Sequence, residues 1–461
     1  MTTTLLAADA SSTELLSLFW IVLVICLAPL LSGMTRKLVP AVVLLLAGGM
    51  LIGPHGMGLA VESGGVAMLS EIGLGMLFLL AGFELRVSTL AGRRGAGAAG
   101  IWVTSMILAT GVGWLVAGRW ETAVAIGLLL TSTAIGTLLP ILKGGGHDST
   151  PVGRAVLAHG AVGELGPILA MALLLGTRDI GASAAAVGLF LVAALLLFVV
   201  PERLLYIPAM ARALTRGNTS TGQLVVRTVF LLLAAMMAVA TVFGLDVVLG
   251  AFAAGMILRR LVEEYGQRRA EASDGPARDL PGELLGRLDT VGYSLFIPVF
   301  FVVSGMGISV EAVAAAPWLL VAAVASMLVI RGGGVWLGES WLRVSPGLAT
   351  TRDRARVGLY AATGLPIIVA VTEVAVNSDL MRADEAAVLV AAGAVTVLLF
   401  PLFAELVLTP DSAVQTSEGG ASPRSRVPGN DDGHVHSGNN NDNNDNNKND
   451  DDDKHNKERI P

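Results

Sequence analysis

Charge and cysteine are both scarce in this sequence. Asp, Glu, Lys and Arg make up 15% of its 461 residues against 53% hydrophobic residues, and the mean hydropathy is +0.68. A chain this long and this poor in charge has more apolar surface than one water-soluble core can bury, which excludes a soluble globular protein. The only cysteine, Cys26, excludes an intramolecular disulfide and, inside an apolar helix, reads as packing. No HExxH pattern and no paired helical aspartates are present, so an intramembrane enzyme is not expected and no cofactor is implied. The apolar body is nearly neutral overall, which leaves no electrostatic footprint for nucleic acid. No basic region precedes the first apolar run, so a cleaved signal peptide is not expected either.

Long apolar runs are what the chain does have. Windows able to cross a hydrocarbon layer of about 30 Å fall at 14–34, 38–54, 66–85, 98–117, 122–142, 155–176, 182–201, 225–243, 246–258, 290–308, 314–337, 357–376 and 385–407. The expected fold is therefore an all-α polytopic membrane protein of about thirteen transmembrane helices, surrounded by lipid. Loop charge orients it, because loops that stay in the cytoplasm collect Lys and Arg. With the N-terminus outside, 21 of the 31 basic residues fall in inner loops and only Arg119, Arg178 and Arg382 in outer ones. Six more lie beyond residue 409, and Arg331 alone falls deep inside a span, Arg227 standing at the inner edge of its own. Localisation in the cell's inner or plasma membrane, with a cytoplasmic C-terminus, is the expectation. Residues 410–461, rich in Asn and Asp, carry 11 acidic and 6 basic residues and few large apolar ones. Such a segment cannot offset its ordering entropy, and a disordered acidic tail beyond the 1–409 transmembrane domain is expected.

Two spans carry helix breakers at matching places. The fifth contains TSTAIGTLLP and the twelfth LYAATGLPIIVAV, each with Thr, Gly and Pro in mid-membrane. They lie seven spans apart, so the two six-helix units that contain them have opposite orientations, as in an inverted repeat. The pair reads as two broken helices crossing at the midplane, with free amides and carbonyls for binding ions. Glu164 lies near them in number, within AVLAHGAVGELGPILAMALLLG, with no charged neighbour. A carboxylate there costs on the order of several kcal/mol unless something binds it. It is read as a proton and cation site, against the plainer alternative of a protonated Glu hydrogen-bonded between helices.

The stretches SEIGLGMLFLLAGFEL (70–85), GLDVVLGAFAAGMIL (244–258) and FIPVFFVVSGMGISVEAV (296–313) resemble, in that order, the Kef-type branch of the monovalent cation:proton antiporters. This is the second cation:proton antiporter family of the sodium/hydrogen exchanger superfamily, and the resemblance covers nearly all of 14–407. It implies a homodimer whose scaffold helices lie within 14–85 and 225–308, whose mobile core helices lie within 98–176 and 314–407, and whose linker is 182–201. The family's acidic pair matches Gly163 and Glu164, so the first member is missing here. Arg331 in LVIRGGGVWLG matches a basic residue that faces the family's site, with snorkelling to the interface as the alternative. Thr131, Ser132 and Thr133 match its unwound segment and are candidate cation ligands alongside Glu164. Glu373 and His159 are candidate accessory groups. Glu71 and Glu84 read as structural, and Asp246 as stabilised by the start of its helix.

The implied function is secondary exchange of protons for Na+ or K+ across the membrane by alternating access, serving pH homeostasis. A single carboxylate alternating between one proton and one cation makes electroneutral exchange the expectation. No metal beyond the transported monovalent cation is implied. A cation channel or uniporter on the same scaffold is the alternative, distinguished by flux that moves no protons.

Overall fold

The structure is a computed structural model that describes residues 2–35, 39–85, 92–144, 146–147, 149–174, 181, 183, 185–190, 192, 194, 221–271 and 280–406. Every regular element among them is helical, as lipid demands of a chain whose amides have no water to bond. In chain order these are α1 (Thr2–Met34), α2 (Ala41–Ile52), α3 (Gly64–Glu84), α4 (Gly92–Ala117), α5 (Trp120–Thr131), α6 (Ile135–Gly144) and α7 (Pro151–Leu174). After the undescribed residues come α8 (Thr221–Val242), α9 (Val247–Glu271), α10 (Leu280–Val291) and α11 (Ile297–Met306). Then follow α12 (Val310–Ala315), α13 (Pro317–Ser326), α14 (Gly333–Trp341), α15 (Thr351–Ala361), α16 (Leu365–Asn377) and α17 (Ala383–Leu406). The chain is an all-α polytopic membrane protein: ten stretches among the described residues are long and apolar enough to cross a membrane.

The predicted spans map onto these helices with informative differences. The fifth and twelfth are each two helices with a break between them, α5/α6 and α15/α16. The second is a short apolar helix of 12 residues, and the ninth is the apolar first half of α9, whose second half is charged. The tenth begins at Leu280 and the eleventh runs on to Trp341, and each contains a π turn, Gly292–Phe296 and Met327–Gly332. Most of the predicted linker 182–201, several basic loop residues such as Arg36, Lys37 and Arg203, and the whole 410–461 tail lie outside the described residues. Cys26 differs from its reading as packing: it is exposed on α1, a helix that also leaves Leu15, Phe19 and Leu30 uncovered, as a lipid-facing helix would.

Small residues set how closely the helices approach. A Cβ on Gly82 of α3 would run into the carbonyl oxygen of Phe252 on α9, and one on Gly255 of α9 into that of Leu79 on α3. The same reciprocity joins α2 and α11, where Gly49 faces the Val302 carbonyl and Gly305 the Leu46 carbonyl. Without a hydrophobic force between helices in lipid, such backbone-to-backbone packing is a main source of cohesion. Gly255→Val should therefore cost about 1–3 kcal/mol by overpacking and lower the thermal unfolding midpoint in detergent. Gly111→Val, at a position with nothing within 4 Å of an added Cβ, should leave that midpoint unchanged.

Candidate functional site

The site begins where two helices stop in mid-span. Helix α5 ends at Thr131 because Ser132 turns extended (φ −68°, ψ 151°), and α6 starts only at Ile135. Helix α15 ends at Ala361 and α16 restarts at Leu365, with Pro366 in its first turn, where a missing amide costs nothing. The two breaks satisfy one another. Ala134 N donates to Thr363 O at 2.7 Å, Ser132 Oγ donates to Gly364 O at 3.3 Å, and the Thr133 hydroxyl donates to the Ala361 carbonyl. A Cβ on Gly364 would collide with Ser132 Oγ, so the crossing needs a glycine there.

Helix α7 is held against this crossing by a proline. Pro167 has no amide hydrogen, which frees the carbonyl of Gly163 four residues earlier. That carbonyl accepts the Thr133 amide at 2.9 Å. The next residue, Glu164, is thereby set at the start of α6: it is 2% exposed and its carboxyl faces the backbone amide of Ile135. Helix N-termini present unpaired amides and the positive end of the dipole, so this is a natural place for an anion. The other carboxyl oxygen, Oε2, is buried with no hydrogen-bond partner among the described residues. Glu84, at the end of α3, acts on Glu164 electrostatically, and Tyr293 in the first π turn donates to Gly136 O of α6 at 3.4 Å.

Arg331 enters from the second π turn and is completely buried. Its Nε and Nη2 donate to Thr133 Oγ1 at 3.3 and 3.2 Å, and Nη2 also donates to the His159 carbonyl at 2.8 Å. It makes no hydrogen bond to Glu164, and Nη1 has no partner among the described residues. A Cβ on Gly163 would meet Thr133 Oγ1 and lie 2.6 Å from Arg331 Nη2. The guanidinium thus occupies the space that a side chain at position 163 would fill. The glycines after Arg331 do permit close approach: a Cβ on Gly332 would lie 3.2 Å from the Gly358 carbonyl of α15, and one on Gly334 would lie 2.6 Å from Ser105 Oγ of α4.

The remaining sequence candidates divide into near and far. Thr131 and Ser132 lie at the break, but the Thr131 hydroxyl donates back to Gly127 O (2.8 Å) and the one Ser132 hydrogen is shared between Leu129 O (3.0 Å) and Gly364 O, leaving only oxygen lone pairs to offer. His159 is fully buried one turn below Gly163 and meets Glu339 Oε1 at 2.7 Å through Nε2. Glu373 is exposed and lines a cavity of about 490 Å³ with Glu62, Glu71 and Asp246, none of them beside Glu164. Asp246 accepts the Val248 amide at 2.8 Å, an N-terminal cap on α9. Glu339 itself was not marked by the sequence, because it lies just past the end of an apolar window. A carboxylate eight residues after an intramembrane arginine, on the same helix, was the only available signal.

The geometry is a lone carboxylate with one oxygen unclaimed, set at a helix N-terminus where two broken helices cross. Such a group can hold a proton or a small cation in turn. The chain matches the family model for the transmembrane sodium/hydrogen exchanger over residues 21–409. It is 25% identical to YjbQ of Bacillus subtilis over 65% of this chain and 48% of that protein. It is 28% identical to the glutathione-regulated potassium-efflux system protein KefC of Cronobacter sakazakii, over 78% of this chain and 55% of that one. The chain thus spans about half the length of these curated relatives. The fold matches that of the sodium proton antiporter MjNhaP1 from Methanocaldococcus jannaschii with a TM-score of 0.58, at 18% identity, over 85% of this chain and 96% of that one. With more than four-fifths of its length inside the family model, and with the crossed broken helices in place, the chain belongs to the sodium/hydrogen exchanger family.

Proposed function

We propose that this protein exchanges protons for Na+ or K+ across the membrane by alternating access, with Glu164 as the shared binding group. The observation that carries this reading is the state of the Glu164 carboxyl. The carboxyl faces the Ile135 amide at the start of α6, and its Oε2 is buried and unpartnered among the described residues, where a proton or a cation would find it. Oxygens of Thr131, Ser132 and Thr133 at the adjacent break are the further ligands. Membership of a family with a sodium proton antiporter fold, and likeness to a potassium-efflux protein, support the substrate class.

Coupling then follows from charge. A bare carboxylate is costly to carry through lipid, whereas a protonated or cation-bound one is neutral, so only the occupied core crosses cheaply. The core is assigned to helices within 98–176 and 314–407, moving against a scaffold within 14–85 and 225–308 that forms a homodimer. The loop charges support an N-terminus outside and a C-terminus in the cytoplasm of a plasma-membrane protein. Of the two accessory candidates, Glu373 lines a cavity with Glu62, Glu71 and Asp246, which we assign as the external funnel.

In proteoliposomes, Glu164→Gln should abolish cation-dependent dissipation of a pH gradient, and Glu164→Asp should weaken it measurably. Exchange by the unaltered protein should be indifferent to clamped potentials of either sign, because a transported charge would couple by about 2.3 kcal/mol per 100 mV. Proton movement that reverses with voltage would sink the one-carboxylate cycle. Gly163→Ala forces Arg331 or Thr133 to shift beside the binding group, and misplacement on the scale of 1 Å should cost roughly tenfold or more in exchange rate. An unchanged rate for that variant would show that the packing around residue 163 is irrelevant to transport.

A further inference from the structure

The one-carboxylate cycle leaves a charge unaccounted for. Arg331 is buried inside the core with no carboxylate bonded to it among the described residues, and it does not touch Glu164 through a hydrogen bond. If Arg331 were uncompensated, the core with Glu164 occupied would carry +1 and the core with Glu164 bare would be neutral. The bare core would then cross most easily, and exchange would be uncoupled.

A second buried carboxylate stands two hydrogen bonds away. The side chains of His159 and Glu339 are both wholly inaccessible, and their polar atoms meet at 2.7 Å. Glu339 Oε2 accepts the Ser345 amide at 2.9 Å, and Oε1 accepts the Ser345 hydroxyl at 2.7 Å as well as the histidine. A backbone amide can only donate, and three donors converging on two oxygens suit an ionised carboxylate. The ring of His159 settles the histidine's charge. Its Nδ1 is buried without a partner. A proton there would make an imidazolium with an unsatisfied buried N–H, whereas the neutral tautomer with its hydrogen on Nε2 leaves only an idle lone pair. His159 is therefore neutral and donates to Glu339, while its backbone carbonyl accepts Arg331. The charged groups that face it are these two, Glu339 of α14 and Arg331 of the π turn before it.

We propose that Glu339 is the standing counter-charge of Arg331, joined to it through neutral His159, so that the fixed charges buried beside Glu164 sum to zero. This deepens the exchange reading above and rests on it. Occupancy of Glu164 alone then decides the charge of the moving unit: zero with a proton or cation bound, −1 when bare. Glu339 acts as a positioning residue. It touches no substrate, but it determines which state of the site is free to move.

The test uses the full chain in proteoliposomes, reading both cation-driven proton flux and the voltage dependence of radioactive sodium or potassium efflux. In Glu339→Gln the bare core becomes neutral and the loaded core +1. Exchange should fall by roughly tenfold or more, and the residual efflux should become faster at inside-positive than at inside-negative potential. Glu339→Asp keeps the charge and should retain voltage-independent exchange. Arg331→Gln leaves Glu339 unbalanced and should slow exchange without the voltage-dependent leak. The double variant Arg331→Gln/Glu339→Gln restores neutrality, so its exchange rate should exceed that of either single variant. A double variant no faster than the worse single, or a voltage-independent Glu339→Gln, would overturn the proposal. Thermal unfolding in detergent gives an arm independent of transport: each single variant should lower the midpoint, and the double should regain at least part of the loss. Losses that simply add would refute the charge pairing. Absence of cation-dependent proton flux in the unaltered protein would instead refute the exchange reading, and the unfolding cycle would still decide the pairing.

Discussion

The hydrogen bond from the Thr133 amide to the Gly163 carbonyl is the contact on which the rest of the site depends. It exists because Pro167 deprives that carbonyl of its helical partner and because the break after Thr131 deprives the amide of its own. Two defects in two helices thereby cancel, and the cancellation fixes Glu164 against the first amide of α6. In lipid an unsatisfied backbone group costs several kcal/mol, so these partners are not interchangeable with water. The same economy governs the Ala134 to Thr363 and Ser132 to Gly364 bonds across the crossing. Beside these bonds, among the described residues, Oε2 of Glu164 is left as an unclaimed side-chain acceptor.

Much of this was legible in the sequence because the membrane makes polar residues conspicuous. Glu164 and Arg331 stand out as lone charges in apolar runs, and the Thr, Gly and Pro residues of TSTAIGTLLP and ATGLP mark the breaks. What could not be read were contacts made across the fold. Nothing in LVIRGGGVWLGESW indicates a π turn, since its glycines read equally well as small residues in an ordinary helix. That Arg331 would lie against Gly163 and Thr133, without a bond to Glu164, depends on how three helices cross. The pairing of His159 with Glu339 joins residues 180 apart in the chain, one of them at the edge of an apolar window where a charge is unremarked.

Packing and site share one device. Glycines of the three motifs that resemble the Kef-type branch bring α3 and α9, and α2 and α11, to backbone contact in the half of the chain assigned to the scaffold. Gly163, Gly332, Gly358 and Gly364 do the same in the half assigned to the core, but there the space is taken by a guanidinium, a hydroxyl or another backbone. Close approach makes the first half cohesive. In the second it brings polar groups within reach of one another.

On the proposed one-carboxylate cycle, the absence of a side chain at Gly163 sets an upper bound on the work this protein can extract. A carrier with two titrating carboxylates can draw on membrane voltage as well as on pH, and can concentrate a cation beyond the proton ratio. If, as proposed, Arg331 fills the space of a second carboxylate and one proton is traded for one cation, the cation ratio across the membrane at equilibrium would equal the proton ratio, about tenfold per pH unit. Such an exchanger cannot drain the membrane potential, and its direction reverses as soon as the two gradients cross. It would serve a cell as a valve that equalises two chemical potentials rather than as a pump that exhausts one to build the other.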